Sequence, residues 1–139
     1  MTPMQLTPDS VNRAVLDLWS GAEQECLEIS PTHALARYDV SHVSMRPGGF
    51  IPGPSQFAIA DSCLWYLVFG ALDCIEPMAV TSELSIRYLR PGVGTVLHAR
   101  ATLDKRGRRS VVGTVRIWAG DDEARPCSTA QGTYMLPNA

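Results

Sequence analysis

The 139-residue sequence has little net charge of either sign. Twelve lysines and arginines stand against 14 aspartates and glutamates, which gives a net charge of −2 at pH 7. A chain without a basic excess lacks the charge that neutralises phosphates over a long nucleic-acid footprint or adheres to an anionic membrane surface. We therefore expect neither nucleic acid nor a membrane as partner, although a local basic patch could still bind a small anion.

Cysteine and histidine are scarce and dispersed. The four cysteines lack the C-x-x-C spacing of zinc and redox sites, and a chain of this length does not need disulfides, so we expect reduced packing or surface residues. They are Cys26, Cys63, Cys74 and Cys127. The three histidines are isolated from one another and from acidic residues at metal-ligand spacing, which predicts no metal site. They are His33, His42 and His98.

The amino-terminal residues lack the features of a secretory signal. Met1–Leu6 contains no positively charged region followed by an apolar stretch, so we expect a cytoplasmic chain. With 45% hydrophobic and 19% charged residues and a mean hydropathy near zero, the composition is that of a soluble globular protein. The length predicts a single domain over residues 1–139.

The first third of the chain predicts one helix and two strands. Asp9 or Ser10 can cap a helix whose apolar residues recur at helical spacing, and Gly21 is a plausible end. Glu25–Ile29 and Ala34–Val40 then read as two short strands joined by a turn.

A loop rich in proline and glycine, from His42 to Ser55, precedes the most apolar stretch of the chain. Ser55–Leu72 is almost continuously apolar, with Asp61 as its single charge. It is too short and too interrupted for a good membrane span, which needs about 20 apolar residues. A helix that is apolar nearly all round is instead a buried central helix.

Beyond Pro77 the apolar period changes from helical to two. In Val80–Tyr88, alternate residues from Val80 onward fall on one face. Three more alternating segments follow, and their separators are short enough for consecutive antiparallel hairpins. The segments are Thr95–Asp104, Arg108–Ala119 and Ala124–Leu136.

This order of elements predicts an α+β fold, with a curved antiparallel sheet of about six strands wrapped around one long central helix, plus an amino-terminal helix. Such a sheet leaves edges and an apolar flank, so we expect a dimer or higher oligomer.

Asp61 is the strongest candidate for chemistry, because a carboxylate within an apolar helix is costly to bury without partners. It could also lie on a solvated stripe or be satisfied by a neighbouring strand. The loop that contains Gly53 runs into the amino terminus of the same helix, where unpaired N–H groups and the helix dipole favour negative charge. An acid and such a donor can attack and polarise a carbonyl.

From Asp39 onward the chain resembles the hotdog-fold acyl-CoA thioesterases of the PaaI type. The resemblance rests on Gly53 and Asp61 in the segment Arg46–Tyr88, and on three further motifs. These are AVTSELSIRYLRP over residues 79–91, RGRR over residues 106–109 and AQGTY over residues 130–134.

In that family a His-Gly-Gly motif opens the central helix, and an acid follows the histidine by nine positions. The resemblance places the nucleophile or general base at Asp61 and the amide that polarises the thioester carbonyl at Gly53. Pro52 and Pro54 stand where the family has the histidine and the second glycine, so this chain lacks an imidazole and one N–H there. We therefore expect weaker activity or an unusual acyl group.

The resemblance also assigns supporting residues. Arg46 occupies the position of a polar loop residue, and Thr81, beside Ser82, that of a hydroxyl residue acting from the neighbouring subunit. Trp65 is a candidate for the acyl pocket, whereas we expect the other two aromatic residues after Asp61 to belong to the core. The basic residues that could pair with the phosphates of coenzyme A, or simply form solvated turns, are Arg90, Arg108 and Arg109.

The resemblance implies hydrolysis of an acyl-CoA to a free acid and coenzyme A, in a homodimer or a dimer-of-dimers tetramer with the site between subunits. It implies no metal and no cofactor, since coenzyme A is part of the substrate. Two alternatives remain. One is a non-catalytic acyl-CoA or acyl-carrier binding protein, and the other a dehydratase or isomerase, which would need a histidine that the loop before Asp61 does not supply.

Overall fold

A computed structural model describes residues 4–137. It contains two helices, α1 (Pro8–Leu18) and α2 (Gly53–Leu72). The six strands are β1 (Gln24–Ile29), β2 (His33–Asp39), β3 (Val80–Tyr88), β4 (Val96–Arg106), β5 (Ser110–Ala119) and β6 (Ser128–Met135). The expected α+β arrangement of a curved antiparallel sheet around a central helix is confirmed.

The strands lie in the order β1-β2-β4-β5-β6-β3, and every neighbouring pair is antiparallel. The expected hairpin between the third and fourth strands is wrong, because β3 pairs with β6 instead of β4. The connection from Leu89 to Thr95 crosses the sheet beside the start of α2, where the N–H of Ile51 donates to the carbonyl of Gly92 at 2.9 Å. As a result β3 forms one edge of the sheet.

Helix α1 is capped by Thr7, not by Asp9 or Ser10 as the sequence suggested. The hydroxyl of Thr7 accepts from the N–H of Ser10, and the hydroxyl of Ser10 accepts in turn from the N–H of Thr7. This reciprocal pair satisfies two amide donors, and it leaves Pro8 at the first helical position, where its missing N–H costs nothing. The helix ends at Leu18, before the expected Gly21.

Helix α2 begins two residues earlier than the apolar run suggested. Pro52 has an extended backbone (φ −62°, ψ 147°) and forms the amino-terminal cap, with Gly53 and Pro54 in the first turn. Proline fits both of these positions because its fixed φ matches the backbone there, and because the first N–H groups of a helix have no acceptor within the helix. The loop therefore ends at Pro52.

The sheet wraps around α2, whose large side chains form the core with residues of β2, β4 and β5. By length and composition α2 could cross a membrane, but 61% of its most apolar window is buried in this fold. At the carboxyl end, Gly70 passes so close to the carbonyl of Ser30 that no Cβ would fit between them.

Candidate active site

Asp61 lies in the third turn of α2, half-buried, with its carboxylate directed at the end of the sheet. Its Oδ1 accepts one hydrogen bond from the hydroxyl of Thr81 on β3 and one from the hydroxyl of Tyr134 on β6, both at 2.7 Å. Thr81 and Tyr134 are paired across the two strands. Asp61 is therefore held by neighbouring strands, and one of its two oxygens carries both contacts.

Tyr134 is buried, with 5% of its surface exposed. Burial, and then the nearby carboxylate of Asp61, raise the pKa of Tyr134 above its ordinary value. The phenol consequently keeps its proton throughout the physiological range and acts toward Asp61 as a donor.

A concavity of about 500 Å³ opens beside this carboxylate. Two indole rings contribute to its wall, that of Trp65 one turn further along α2 and that of Trp19 just beyond α1. The remaining lining is mostly small or apolar, and comprises Gln24, Ala58, Ser62, Pro77, Ala79 and Val80 with Thr81 and Tyr134. The other two aromatic residues of this segment, Tyr66 and Phe69, are buried in the core.

The amino terminus of α2 offers one free backbone donor. Pro52 and Pro54 have no N–H, and the N–H groups of Ser55 and Gln56 both approach the carbonyl of Pro52, at 3.2 and 3.4 Å. Within residues 4–137, the N–H of Gly53 is the one amide of this first turn without an acceptor. The positive end of the helix dipole therefore presents a single unpaired N–H group, that of Gly53.

Gly53 faces a second concavity, of about 350 Å³, in which the hydroxyl of Tyr88 donates to the carbonyl of Gly53 at 3.0 Å. Arg46 and Arg90 line the same concavity. The guanidinium of Arg90 also donates to the carbonyl of Pro126, which fixes its position. Two cations and a free amide therefore meet at one end of the molecule.

One chain does not bring Asp61 and Gly53 into one cavity. They are eight positions apart along α2, which corresponds to about 12 Å at 1.5 Å per residue, and each lines its own concavity. Thr81, which the resemblance placed across a subunit boundary, lies within hydrogen-bond distance of Asp61 in the same chain. Each chain thus carries two separate halves of a candidate site. The Asp61 half contains the acid and its hydroxyl donors, and the Gly53 half contains the amide and its arginines.

The remaining candidates divide between these two ends. Arg109 lies beside Leu136, and Arg90 beside Cys127, so that about 30 Å of strand separates them. The expected pairing of Arg90 with Arg108 or Arg109 therefore does not occur within one chain.

Ser82 is the exposed extra residue of a bulge in β3 and lines neither concavity. Pro52 and Pro54 flank Gly53 without lining its concavity.

The sequence did not single out Tyr134, Tyr88 or Trp19. Tyr134 and Tyr88 stand in motifs that carried the resemblance, but alternation along a strand cannot tell which hydroxyl reaches a carboxylate across the sheet. A first helix that runs to Gly21 would include Trp19, whereas this residue lies just beyond α1, 54% exposed.

Across the part of the chain that the structure describes, no group of three or more His, Cys, Asp or Glu side chains could hold a metal ion. All four cysteines are free, with Cys74 exposed and the other three buried.

Comparison with known proteins agrees with this architecture. The profile of the thioesterase superfamily matches residues 48–125. The structure is similar to that of a protein from Silicibacter sp. TM1040 described as a thioesterase, with 27% identity over 98% of this chain and 95% of that chain and a TM-score of 0.86. No curated protein sequence matches the chain significantly.

Two more distant structures share the fold. A mutant of the phenylacetic acid degradation protein PaaI from Thermus thermophilus is 20% identical, covering 87% of this chain and 99% of that chain, with a TM-score of 0.69. A Streptococcus mutans UA159 protein bound to acetyl-CoA is also 20% identical, covering 85% of this chain and 91% of that chain, with a TM-score of 0.70. Because the superfamily profile spans more than half of the sequence and includes both Gly53 and Asp61, the chain belongs to the thioesterase superfamily.

Proposed function

We propose that this protein hydrolyses an acyl-CoA thioester to a free carboxylic acid and coenzyme A, in sites formed between two protomers. The observation that carries the proposal is Asp61, a carboxylate held by two hydroxyls at the edge of a largely apolar concavity. The acetyl-CoA bound by the Streptococcus mutans protein supports a coenzyme A ester as the substrate.

The acid supplies the nucleophile or the general base. As a base, Asp61 takes a proton from water, the water oxygen bonds to the thioester carbon, and the C–S bond breaks as the proton passes to sulfur. As a nucleophile, its oxygen bonds to that carbon and expels the thiolate, and water then cleaves the resulting anhydride. Both routes give the same acid and thiol.

The N–H of Gly53 is suited to the oxyanion that either route creates. It is free of acceptors within the described chain and lies at the positive end of α2. A donor aimed at the position where negative charge develops typically accounts for about 3 to 4 kcal/mol of barrier. With proline on both sides, Gly53 performs this task with one amide hydrogen.

The edge strand β3 explains how the two halves meet. Asp61 lies near its first residues, through Thr81, and Gly53 near its last, through Tyr88. Antiparallel pairing of β3 with β3 of a second copy, about a two-fold axis near its middle, places the Asp61 half of one protomer beside the Gly53 half of its partner. A dimer therefore contains two equivalent sites, and a tetramer built from two such dimers contains four.

The same pairing gathers the basic residues. Arg46 and Arg90 lie with Gly53, whereas Arg108 and Arg109 lie at the Asp61 end of the sheet. In the dimer these two sets come from different protomers and approach each other, so that together they can pair with the phosphates of coenzyme A.

The test is a panel of short-chain, long-chain and aromatic acyl-CoAs with a thiol reporter, applied to the wild type, Asp61→Asn and a control, Asp121→Asn. Asp121 is an exposed acid in the turn before β6. We expect turnover of at least one substrate, a loss of at least about 100-fold in Asp61→Asn, and no loss in Asp121→Asn.

Calorimetric titration with the same esters distinguishes the enzyme from a binding protein. Tight binding without turnover across the whole panel would overturn the enzymatic proposal and favour the non-catalytic alternative. Turnover that survives in Asp61→Asn would overturn the assignment of the acid.

A further inference from the structure

The two oxygens of Asp61 have unequal surroundings. Oδ1 accepts from the hydroxyls of both Thr81 and Tyr134, each at 2.7 Å. Within residues 4–137, Oδ2 has no hydrogen-bond partner. A carboxylate oxygen with two charge-assisted bonds is less basic and less free to move than one with none.

Tyr134 is built into the fold more firmly than Thr81. Its ring is buried in the core formed by the sheet and α2, whereas Thr81 lies on the exposed edge strand. The Tyr134 hydroxyl also lies 3.0 Å from the main-chain carbonyl of Asp61. The phenol therefore touches both the backbone and the side chain of the residue it holds, which restricts the rotation of the carboxylate.

We propose that Tyr134 is a positioning residue that, together with Thr81, engages Oδ1 of Asp61 and leaves Oδ2 as the oxygen that reacts. This inference rests on the proposed function, because it names the reacting atom of the same site. Oδ2 carries out the proton removal or the attack described above, and Oδ1 stays bonded to the two hydroxyls.

The pairing makes the hydroxyls partly redundant. Loss of one leaves the other to hold Oδ1, whereas loss of both frees the carboxylate to rotate and exposes two equivalent oxygens. The effect of removing both hydroxyls should therefore exceed the product of the single effects.

The experiment measures kcat, KM and melting temperature for Tyr134→Phe, Thr81→Val and the double variant, with the best substrate of the acyl-CoA panel. The matched control is Tyr66→Phe, since Tyr66 is also a buried tyrosine, on α2 itself, and among the described residues its hydroxyl forms no hydrogen bond with Asp61. We expect kcat to fall at least tenfold in Tyr134→Phe with KM within twofold, a smaller fall in Thr81→Val, and no change of kcat in Tyr66→Phe.

The outcomes separate the two proposals. A wild type that hydrolyses none of the esters overturns the proposed function, and the positioning role with it. The positioning role alone is overturned if the wild type is active and Tyr134→Phe keeps its kcat or changes only its KM. It is also overturned if kcat falls no further in Tyr134→Phe than in Tyr66→Phe. A double variant whose loss does not exceed the product of the two single losses overturns the redundancy of the hydroxyls.

Discussion

The hydroxyl of Tyr88 occupies the space that a side chain on Gly53 would need. It donates to the Gly53 carbonyl at 3.0 Å, and a Cβ built on Gly53 would lie 2.9 Å from the same oxygen. Burial raises the pKa of Tyr88, so the hydroxyl remains a donor. The absence of a side chain at Gly53 is thus what lets the phenol close against the start of α2.

This contact predicts non-additive effects on stability. Gly53→Ala should push the half-exposed Tyr88 ring away and lose its hydrogen bond, at a cost of about 1 kcal/mol, which the lower chain entropy of alanine offsets by about 0.4 to 1 kcal/mol. Tyr88→Phe removes the same bond without that offset. Urea unfolding should therefore show that Gly53→Ala causes no further loss of stability when it is added to Tyr88→Phe, and losses that simply add would contradict the contact.

A site shared between protomers predicts that two inactive variants can complement each other. Asp61→Asn removes the acid, and Gly53→Pro removes the free amide at a position where proline suits a helix. After unfolding and refolding in equal amounts, half of the dimers are mixed and each has one intact site, so activity should return to about a quarter of the wild-type value.

The control for complementation is each variant refolded alone, which should stay inactive. A mixture that remains as inactive as its components would overturn the site shared between protomers.

Much of the fold could be predicted from the sequence because it depends on local patterns. The apolar run of α2 and the period-two segments are set by neighbouring residues. The place of β3 beside β6 depends on a crossing connection that no local pattern specifies, so the expected hairpin was wrong. Asp61 and Gly53 stood out as a buried-looking acid and a helix terminus, whereas the partnership of Asp61 with Tyr134 depends on cross-strand register over 73 residues.

The position of Trp19 predicts a role in acyl selection. Its indole forms part of the wall of the Asp61 concavity from outside α2. Trp19→Ala should enlarge this concavity and raise kcat/KM for an eight-carbon acyl-CoA relative to acetyl-CoA by about tenfold, within the 1 to 3 kcal/mol typical of apolar pockets. Leu16→Ala is the matched control, because Leu16 is equally exposed but lies outside that concavity. An unchanged ratio in Trp19→Ala would remove this role.

An ion-pair network on the outer face of the sheet predicts a pH-dependent stability. Glu123 accepts from Arg100 at 2.7 Å and from Arg116 at 3.1 Å, and the hydrogen bond from Arg100 is the main cause that lowers the pKa of Glu123. Because the folded state holds this proton less tightly than the unfolded state, the stabilisation is present at neutral pH and is lost as pH falls through the folded pKa. Since the side chain is one-third exposed, it amounts to less than about 1 kcal/mol.

Urea midpoints of the wild type and Glu123→Gln at several pH values test this network. The difference should be greatest near pH 7 and shrink as the pH falls through the lowered pKa of Glu123. Asp122→Asn, at an exposed acid of the same turn that forms no ion pair among the described residues, should show no such trend. A difference that grows toward acid would have the wrong sign.

Both ends of α2 pack closely through glycines, against the hydroxyl of Tyr88 at Gly53 and the main-chain carbonyl of Ser30 at Gly70. These contacts restrict sliding of the helix along its own axis. In the proposed dimer the acid and the amide of one site come from different protomers, so the spacing between them is set by the pairing of the two β3 strands as well as by the fixed position of each helix. New acyl preferences, natural or engineered, should therefore arise from the walls around Asp61, whereas a change in the β3 pairing would alter the catalytic spacing itself.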